Sequence, residues 1–216
     1  MAPLEAYRKK RNFRKTSEPA PVVLPKGEEP LFVIQKHAAS RLHYDFRLSV
    51  RGVLASWAVP KGIPYHKGEK RLAVHVEDHP IEYATFEGII PEGEYGAGTV
   101  MVWDYGRYEV VEGEAAEGLR EGKLHLRLYG QKLKGEWTLV RTQPASDDSK
   151  ELWLLIKTGA SVRPVERERD NRSALSGRTM AEIAADPAEV WHSDREKPGF
   201  VSPMKATLFR KLPEGS

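Results

Sequence analysis

Between residues 31 and 157, apolar side chains recur mostly at every second position. That is the period of a strand with two unlike faces. The clearest stretch is 42–49, where Leu42, Tyr44, Phe46 and Leu48 share one parity and His43, Asp45, Arg47 and Ser49 the other. It predicts a strand that buries one face and presents a polar row on the other. Upstream, Phe32 and Ile34 begin a strand that leads into His37, close enough for a short turn to return it to the surface of His43. Downstream, Arg51-Gly52 marks a hairpin turn, and Val53, Ala55, Trp57 and Val59 line one face of the return strand. Residues 60–64 read as a rigid, proline-bounded loop.

Residues 71–77 alternate again. Leu72, Val74 and Val76 are expected on the apolar side, with Arg71, His75 and Glu77, continued by His79, on the polar side. Pro80 holds His79 in extended geometry. A glycine-rich turn is predicted from Gly88 to Gly98, then strands at 99–103, 107–111, 123–129, 136–141 and 151–157. Many short strands with turns between them predict an all-β antiparallel barrel or sandwich with few helices. One short helix is expected at 179–185, N-capped by Ser176 and stopped before Pro187. The chain therefore divides into a basic, flexible arm (1–30), a β domain (31–160) and a C-terminal extension (161–216).

Composition narrows the chemistry. With 40% hydrophobic and 30% charged residues, the chain has the balance of a soluble globular protein. No apolar run approaches the length of a membrane span, and no signal-peptide core follows the basic start, which predicts a cytoplasmic location. There is no cysteine, so disulfides, thiolate metal sites and a cysteine nucleophile are excluded. Net charge is only +3, but Arg8, Lys9, Lys10, Arg11, Arg14 and Lys15 crowd the start against Glu5. Such an arm can follow a phosphate backbone, and the same composition also describes a solvated tail.

The glycine-rich run 91–98 precedes a strand and lacks a Gly-Lys-Ser/Thr ending, so it reads as a turn between strands and not as a phosphate cradle. No Gly-x-Ser-x-Gly elbow is present. The polar rows are more informative. Histidines with an aspartate suit Mn²⁺ or Zn²⁺, and arginine suits a two-pronged grip on phosphate. A metal beside a phosphate can polarise it and acidify a bound water, as phosphoester hydrolysis requires. Two histidines and one carboxylate are also the ligand set of non-haem iron oxygenases, and a polar row can equally be a solvated face with an Asp–Arg pair.

Several runs carry a resemblance. Gln35-Lys36-His37, Leu42-His43-Tyr44-Asp45-Phe46-Arg47, Ser56-Trp57-Ala58-Val59-Pro60-Lys61-Gly62, Glu77-Asp78-His79-Pro80 and Glu92-Gly93-Glu94-Tyr95-Gly96-Ala97-Gly98 occur in one order with compatible spacing. Over residues 8–160 the chain resembles the 3′-phosphoesterase module of bacterial DNA ligase D. The resemblance implies a small closed β-barrel that trims 3′ ends, removing a terminal ribonucleoside and then the 3′-phosphate to leave a 3′-hydroxyl. It implies Mn²⁺ as cofactor, with Zn²⁺ or Co²⁺ as other divalent candidates. His37, His43 and Asp45 are then the metal ligands, and Arg47 and His79 the phosphate-contacting catalytic pair, with His79 a candidate general acid. Lys61 and Arg71 add positive charge for the nucleic acid. Gln35, Glu77 and Tyr83 support or orient, and Tyr83 and Glu18 are candidates for the catalytic set. The expected partners are primer–template 3′ ends, a DNA ligase or polymerase and end-binding repair proteins, in a bacterial or archaeal cytoplasm at the nucleoid. Residues 199–208 resemble the entry into a ligase domain, which fits a free-standing enzyme with a remnant tail as well as a piece of a longer protein. A non-catalytic end-binding adaptor is the competing reading; it would need the basic arm but not the histidines and aspartate.

Overall fold

The computed structural model describes residues 4–13, 15, 18–19, 30–144, 146 and 149–186. The chain runs through α1 (Glu5–Lys9), β1 (Leu31–Ala38), β2 (Leu42–Val50), β3 (Val53–Val59), β4 (Lys70–His75) and β5 (His79–Pro80). A 3₁₀ helix (Ile81–Thr85), β6 (Gly88–Ile90) and β7 (Gly98–Val110) follow, then α2 (Ala115–Glu121), β8 (Lys123–Gly130), β9 (Lys134–Gln143) and β10 (Leu152–Lys157). Beyond the last strand lie α3 (Arg167–Asp170) and α4 (Met180–Ala185). The strands neighbour one another in the order β1-β2-β3-β4-β10-β9-β8-β7, and β7 pairs back onto β1. Every pairing is antiparallel, so the sheet closes into an eight-stranded barrel with β5 and β6 as short additions. Closure removes the free edges that an open sheet would expose.

The hairpins follow from local sequence. Arg51 and Gly52 take φ values of 53° and 79°, the paired positive angles of a two-residue turn whose twist matches the flanking strands. Inside the barrel, Phe32, Ile34, Phe46, Leu48, Trp57, Met101, Trp103, Trp137 and Trp153 pack as one cluster. Each such buried side chain stabilises the fold by roughly 1.5–3 kcal/mol. A second cluster lies outside the barrel wall, where Leu31, Val33, Leu54, Val100 and Val102 meet Leu4, Tyr7, Ile81 and Tyr83. A five-residue helix such as α1 does not hold itself in water. Leu4 and Tyr7, 4% and 0% exposed, dock it instead.

Four expectations change. The polar face of β2 is not solvated: Asp45 and Arg47 are 6% and 3% exposed, because the second cluster covers that face of the wall. The strand expected at 71–77 stops at His75 with its faces exchanged; Ala73 is buried and Leu72 is 45% exposed. Ala73 and Arg71 register with Trp153 and Leu155, which face the core, so Arg71 points inward and Leu72 outward. The strands expected at 99–103 and 107–111 are one strand, β7, whose pairing with β1 shifts register between Ile34 and Gln35. The helix α4 is capped by Thr179, not Ser176, in a reciprocal capping box with Glu182. The segment that follows β10 also belongs to the packed unit. Asp170 pairs with Lys36 at 2.7 Å and accepts from the Trp103 indole at 3.0 Å, while Ile183 joins the barrel core. The readings for 199–208, for Pro187 and for Arg14 fall outside the described residues.

Candidate active site

The hairpin β1–β2 sets His37 directly opposite His43, with Gln35 opposite Asp45. The odd-numbered residues of both strands share the covered outer face, so His37, His43 and Asp45 converge, with one ligand atom of each within 4.8 Å of the others. His37 Nδ1 and His43 Nε2 each lie 3.6 Å from an Asp45 carboxylate oxygen. The other ring nitrogens are committed. His37 Nε2 donates to the Gly96 carbonyl at 2.8 Å, and His43 Nδ1 donates to the Arg41 carbonyl at 2.9 Å. These bonds fix the tautomers and aim both remaining lone pairs at the aspartate, the arrangement that metal-binding histidines characteristically show. Burial opposes ionisation of Asp45, but the Arg47 guanidinium beside it, the largest opposing influence, holds its carboxyl down at about 2. The set is therefore a carboxylate and two imidazole lone pairs, which fits a divalent ion of the borderline class. His43, with a side chain 21% exposed, marks the open side of the cluster.

Beside it lies a cationic half. Arg47 donates from Nε to Gln35 Oε1 at 2.7 Å, from Nη1 to Ser56 Oγ at 2.8 Å and from Nη2 to Asp45 Oδ2 at 3.1 Å. Gln35 is itself anchored, donating to the Tyr83 and Phe86 carbonyls at 2.9 and 3.1 Å. The guanidinium carbon sits 4.9 Å from the centre of the Tyr83 ring. With Nη1 also 2.9 Å from His79 Nδ1, four of the five N–H groups of Arg47 face neighbours, and one hydrogen on Nη2 is left for a ligand.

His79 reaches this half through β5, which pairs it with Leu54 on β3 after the chain has left β4. Its Nδ1 lies 2.8 Å from the Glu77 carbonyl, which can only accept, and 2.9 Å from Arg47 Nη1, which can only donate, so the two compete for that nitrogen. Its Nε2 lies 3.3 Å from Arg11 Nη2. Burial, reinforced by Arg47 and Arg11, pushes the imidazole well below its ordinary pKa, and it is neutral.

The arm completes the half. Arg11, with a side chain only 5% exposed, bonds Glu18 at 3.0 Å and Glu77 at 2.5 Å and lies 4.5 Å from the Tyr7 ring centre. Glu18 also accepts from the Tyr83 hydroxyl at 3.2 Å, and Lys10 pairs with Glu77 at 2.9 Å. Of the residues expected from sequence, His37, His43, Asp45, Arg47, Gln35, His79, Tyr83, Glu77 and Glu18 are brought together. Lys61 is exposed in the turn that leaves β3 beside Tyr44, at the metal end of the wall. Arg71 is not brought in. It faces the barrel interior from β4, two strands from β2, and pairs with Glu69.

Sequence reasoning missed Arg11, Tyr7 and Ser56. Arg11 sits in a run of basic residues that no periodicity singles out. Ser56 did carry a signal, as a small polar residue in the apolar run of β3, on the parity of Leu54.

Residues 35–141 match the family model described as the DNA Ligase D 3′-phosphoesterase domain. The chain is 44% identical over 230 residues to the Multifunctional non-homologous end joining protein LigD of Pseudomonas aeruginosa, covering 99% of this chain and 27% of that protein. It is 49% identical over 198 residues to the Multifunctional non-homologous end joining DNA repair protein LigD of Mycobacterium tuberculosis, and over 205 residues to its counterpart in Mycolicibacterium smegmatis. Each mycobacterial match covers 91% of this chain and 25% of the relative, so the chain spans about a quarter of the length of these proteins. On the family match over residues 35–141 and the identity across nearly its whole length, the chain belongs to the DNA ligase D 3′-phosphoesterase domain family.

Proposed function

We propose that the chain is a Mn²⁺-dependent phosphoesterase that removes 3′-terminal ribonucleosides and 3′-phosphates from primer ends in end-joining repair, leaving a 3′-hydroxyl for ligation or extension. The observation that carries this reading is the adjacency of two sets: donors of His37, His43 and Asp45 within 4.8 Å of one another, and Arg47 bonded to the same carboxylate at 3.1 Å. A divalent ion held by the three would polarise a phosphoryl oxygen and acidify water beside it. Arg47, fixed by Gln35, Ser56 and Asp45, offers its remaining N–H to the phosphate where charge builds in the transition state. His79 is neutral before substrate arrives. A bound phosphate dianion would raise its pKa and let it carry a proton to the leaving oxygen, so the general-acid role is loaded by the substrate.

The serine hydroxyl bonded to Arg47 is poorly placed to attack. Ser56 Oγ donates to the Leu54 carbonyl at 2.9 Å while accepting from Arg47. Diester cleavage therefore draws its nucleophile from the substrate. The 2′-hydroxyl of the nucleotide that keeps the phosphate attacks phosphorus, and the 5′-oxygen of the departing nucleoside leaves with a proton. Water then opens the resulting 2′,3′-cyclic phosphate to the 3′-phosphate. A 3′-phosphate needs no such group. Partners follow the same reading: duplex 3′ ends, and the ligase, polymerase and end-binding proteins that act on them. The test is one primer set with an all-deoxy end, an end of two consecutive ribonucleotides or a 3′-phosphate end, assayed with and without Mn²⁺. Metal-dependent loss of the ribonucleoside and of the phosphate, with the all-deoxy end intact, is the expected result. Equal trimming of the all-deoxy end would make the protein a general exonuclease, and binding without turnover would make it an adaptor.

A further inference from the structure

At the mouth of the site stands an aromatic ring to which none of these steps gives a role. Tyr95 is 46% exposed, whereas Tyr7 and Tyr83 nearby are 0% and 2% exposed. It occupies the turn between β6 and β7, which is held by the Glu94 N–H to the Pro91 carbonyl at 3.2 Å and the Ala97 N–H to the Glu94 carbonyl at 3.1 Å. The next residue is Gly96, whose carbonyl fixes His37. The Arg11 guanidinium that touches His79 lies 5.3 Å from the centre of the Tyr95 ring, and the Lys10 ammonium lies 4.6 Å from it. The ring thus bridges the metal half and the cationic half at the surface. On the other flank Leu42, 51% exposed, directly precedes His43. Among the described residues the exposed large hydrophobics are Leu42, Leu72, Tyr95 and Val111, and two of these four border the metal ligands.

We infer that Tyr95 is the platform on which the base of the departing 3′-terminal nucleoside stacks. The inference rests on the proposed function and adds a nucleobase subsite to it. With the phosphate held between the metal ligands and Arg47, a terminal nucleoside that leaves toward solvent would meet the rim that Tyr95 forms. A ring left in water gains by covering a flat apolar surface. Stacking also tolerates every base, as an enzyme that trims whichever nucleotide ends the primer requires. The turn is preformed, so little side-chain freedom is lost on binding. A 3′-phosphate end has no departing base, so Tyr95 serves nucleoside removal in preference to phosphate removal.

The test compares two primer ends that share a penultimate ribonucleotide, one ending in a ribonucleotide and the other in an abasic ribose, on the full chain in Mn²⁺. The wild type is expected to favour the base-bearing end through KM. Tyr95→Ala should raise KM for that end roughly 5- to 150-fold, the range for losing one base–aromatic stack, and abolish the preference over the abasic end, while Tyr95→Trp keeps it. Equal handling of both ends by the wild type would overturn the inference. So would an equal slowing of both by Tyr95→Ala, which would mean that the ring only braces Gly96 and Arg11. The same comparison with a penultimate 2′-O-methyl ribose, read as Kd by fluorescence anisotropy, decides the stack without any cleavage. Failure to cleave the normal ends would then count against the proposed reaction alone.

Discussion

The two halves of the site are built in opposite ways. The metal half comes from one hairpin, with His37 opposite His43 across β1–β2 and Asp45 next but one along β2. The cationic half draws Arg11 and Glu18 from the arm, Arg47 from β2, Ser56 from β3, and Glu77, His79 and Tyr83 from the segment beyond β4. The local half needs its hairpin and the Gly96 carbonyl that orients His37. An assembled half exists only when the outer cluster of Leu4, Tyr7, Leu54 and Tyr83 has packed. Loss of packing should therefore damage phosphate handling while metal binding survives.

The largest effect should come from the metal half. Asp45→Asn keeps the side-chain shape but removes the charge shared by both histidines and Arg47. Turnover of 3′-phosphate and ribonucleoside ends should fall to background in a protein whose far-ultraviolet circular dichroism is unchanged. Arg47→Ala should lower kcat by roughly 10²- to 10³-fold, the scale for losing one preorganised donor to transition-state charge. Arg47→Lys should restore little, because a point charge cannot meet Gln35, Ser56 and Asp45 at once. Retention of activity by the lysine variant would show that charge alone is needed.

A smaller effect sharpens the distinction between the halves. Gly96 has φ +81°, a region that side chains avoid, and a Cβ there would lie 3.8 Å from His37 Cε1. Gly96→Ala should strain the turn by about 1 kcal/mol. By shifting the carbonyl that orients His37, it should weaken Mn²⁺ affinity by about tenfold, the low end for an outer partner of a metal ligand. Isothermal titration with Mn²⁺ reads this directly, and an unchanged affinity would mean that the carbonyl does not orient the ring.

The smallest expected effect is on stability. Burial raises the Glu77 pKa, but Arg11 and Lys10 outweigh it and leave the group below its ordinary value. A carboxyl depressed in the folded state contributes stability above its unfolded pKa, about 4.3, and that contribution is lost as pH falls through the folded value. The melting temperature of the wild type should accordingly drop below about pH 4.3, and Glu77→Gln should flatten that part of the drop. The scale is about 2–4 °C for each kcal/mol in a chain of this size. Identical acid limbs would place the clamp on the arm elsewhere.

The same contrast explains what could be read from sequence. A period of two along 42–49 was enough to put His43, Asp45 and Arg47 on one face, and a short turn was enough to return His37. Alternation does not say which face a barrel wall covers a second time, so the burial of Asp45 and Arg47 was not legible. It failed in β4 because Ala73 and Leu72 differ in size and not in polarity, and the core took the smaller residue. Arg11 was hidden among neighbouring cations. Its role depends on Glu18 and Glu77, seven and 66 residues away, which no local pattern links. The capping box of α4 was present as Thr179 and Glu182, but Ser176 offered an equally plausible cap a turn earlier.

The central claim is that one hairpin holds the ion while four segments hold the phosphate. Its most direct test is Mn²⁺ electron paramagnetic resonance on the full chain, titrating the wild type, Asp45→Asn and Arg47→Ala side by side. The account predicts one bound ion in the wild type and in Arg47→Ala, and none in Asp45→Asn at the same concentrations. Binding by Asp45→Asn equal to the wild type, or loss of the ion in Arg47→Ala, would contradict it.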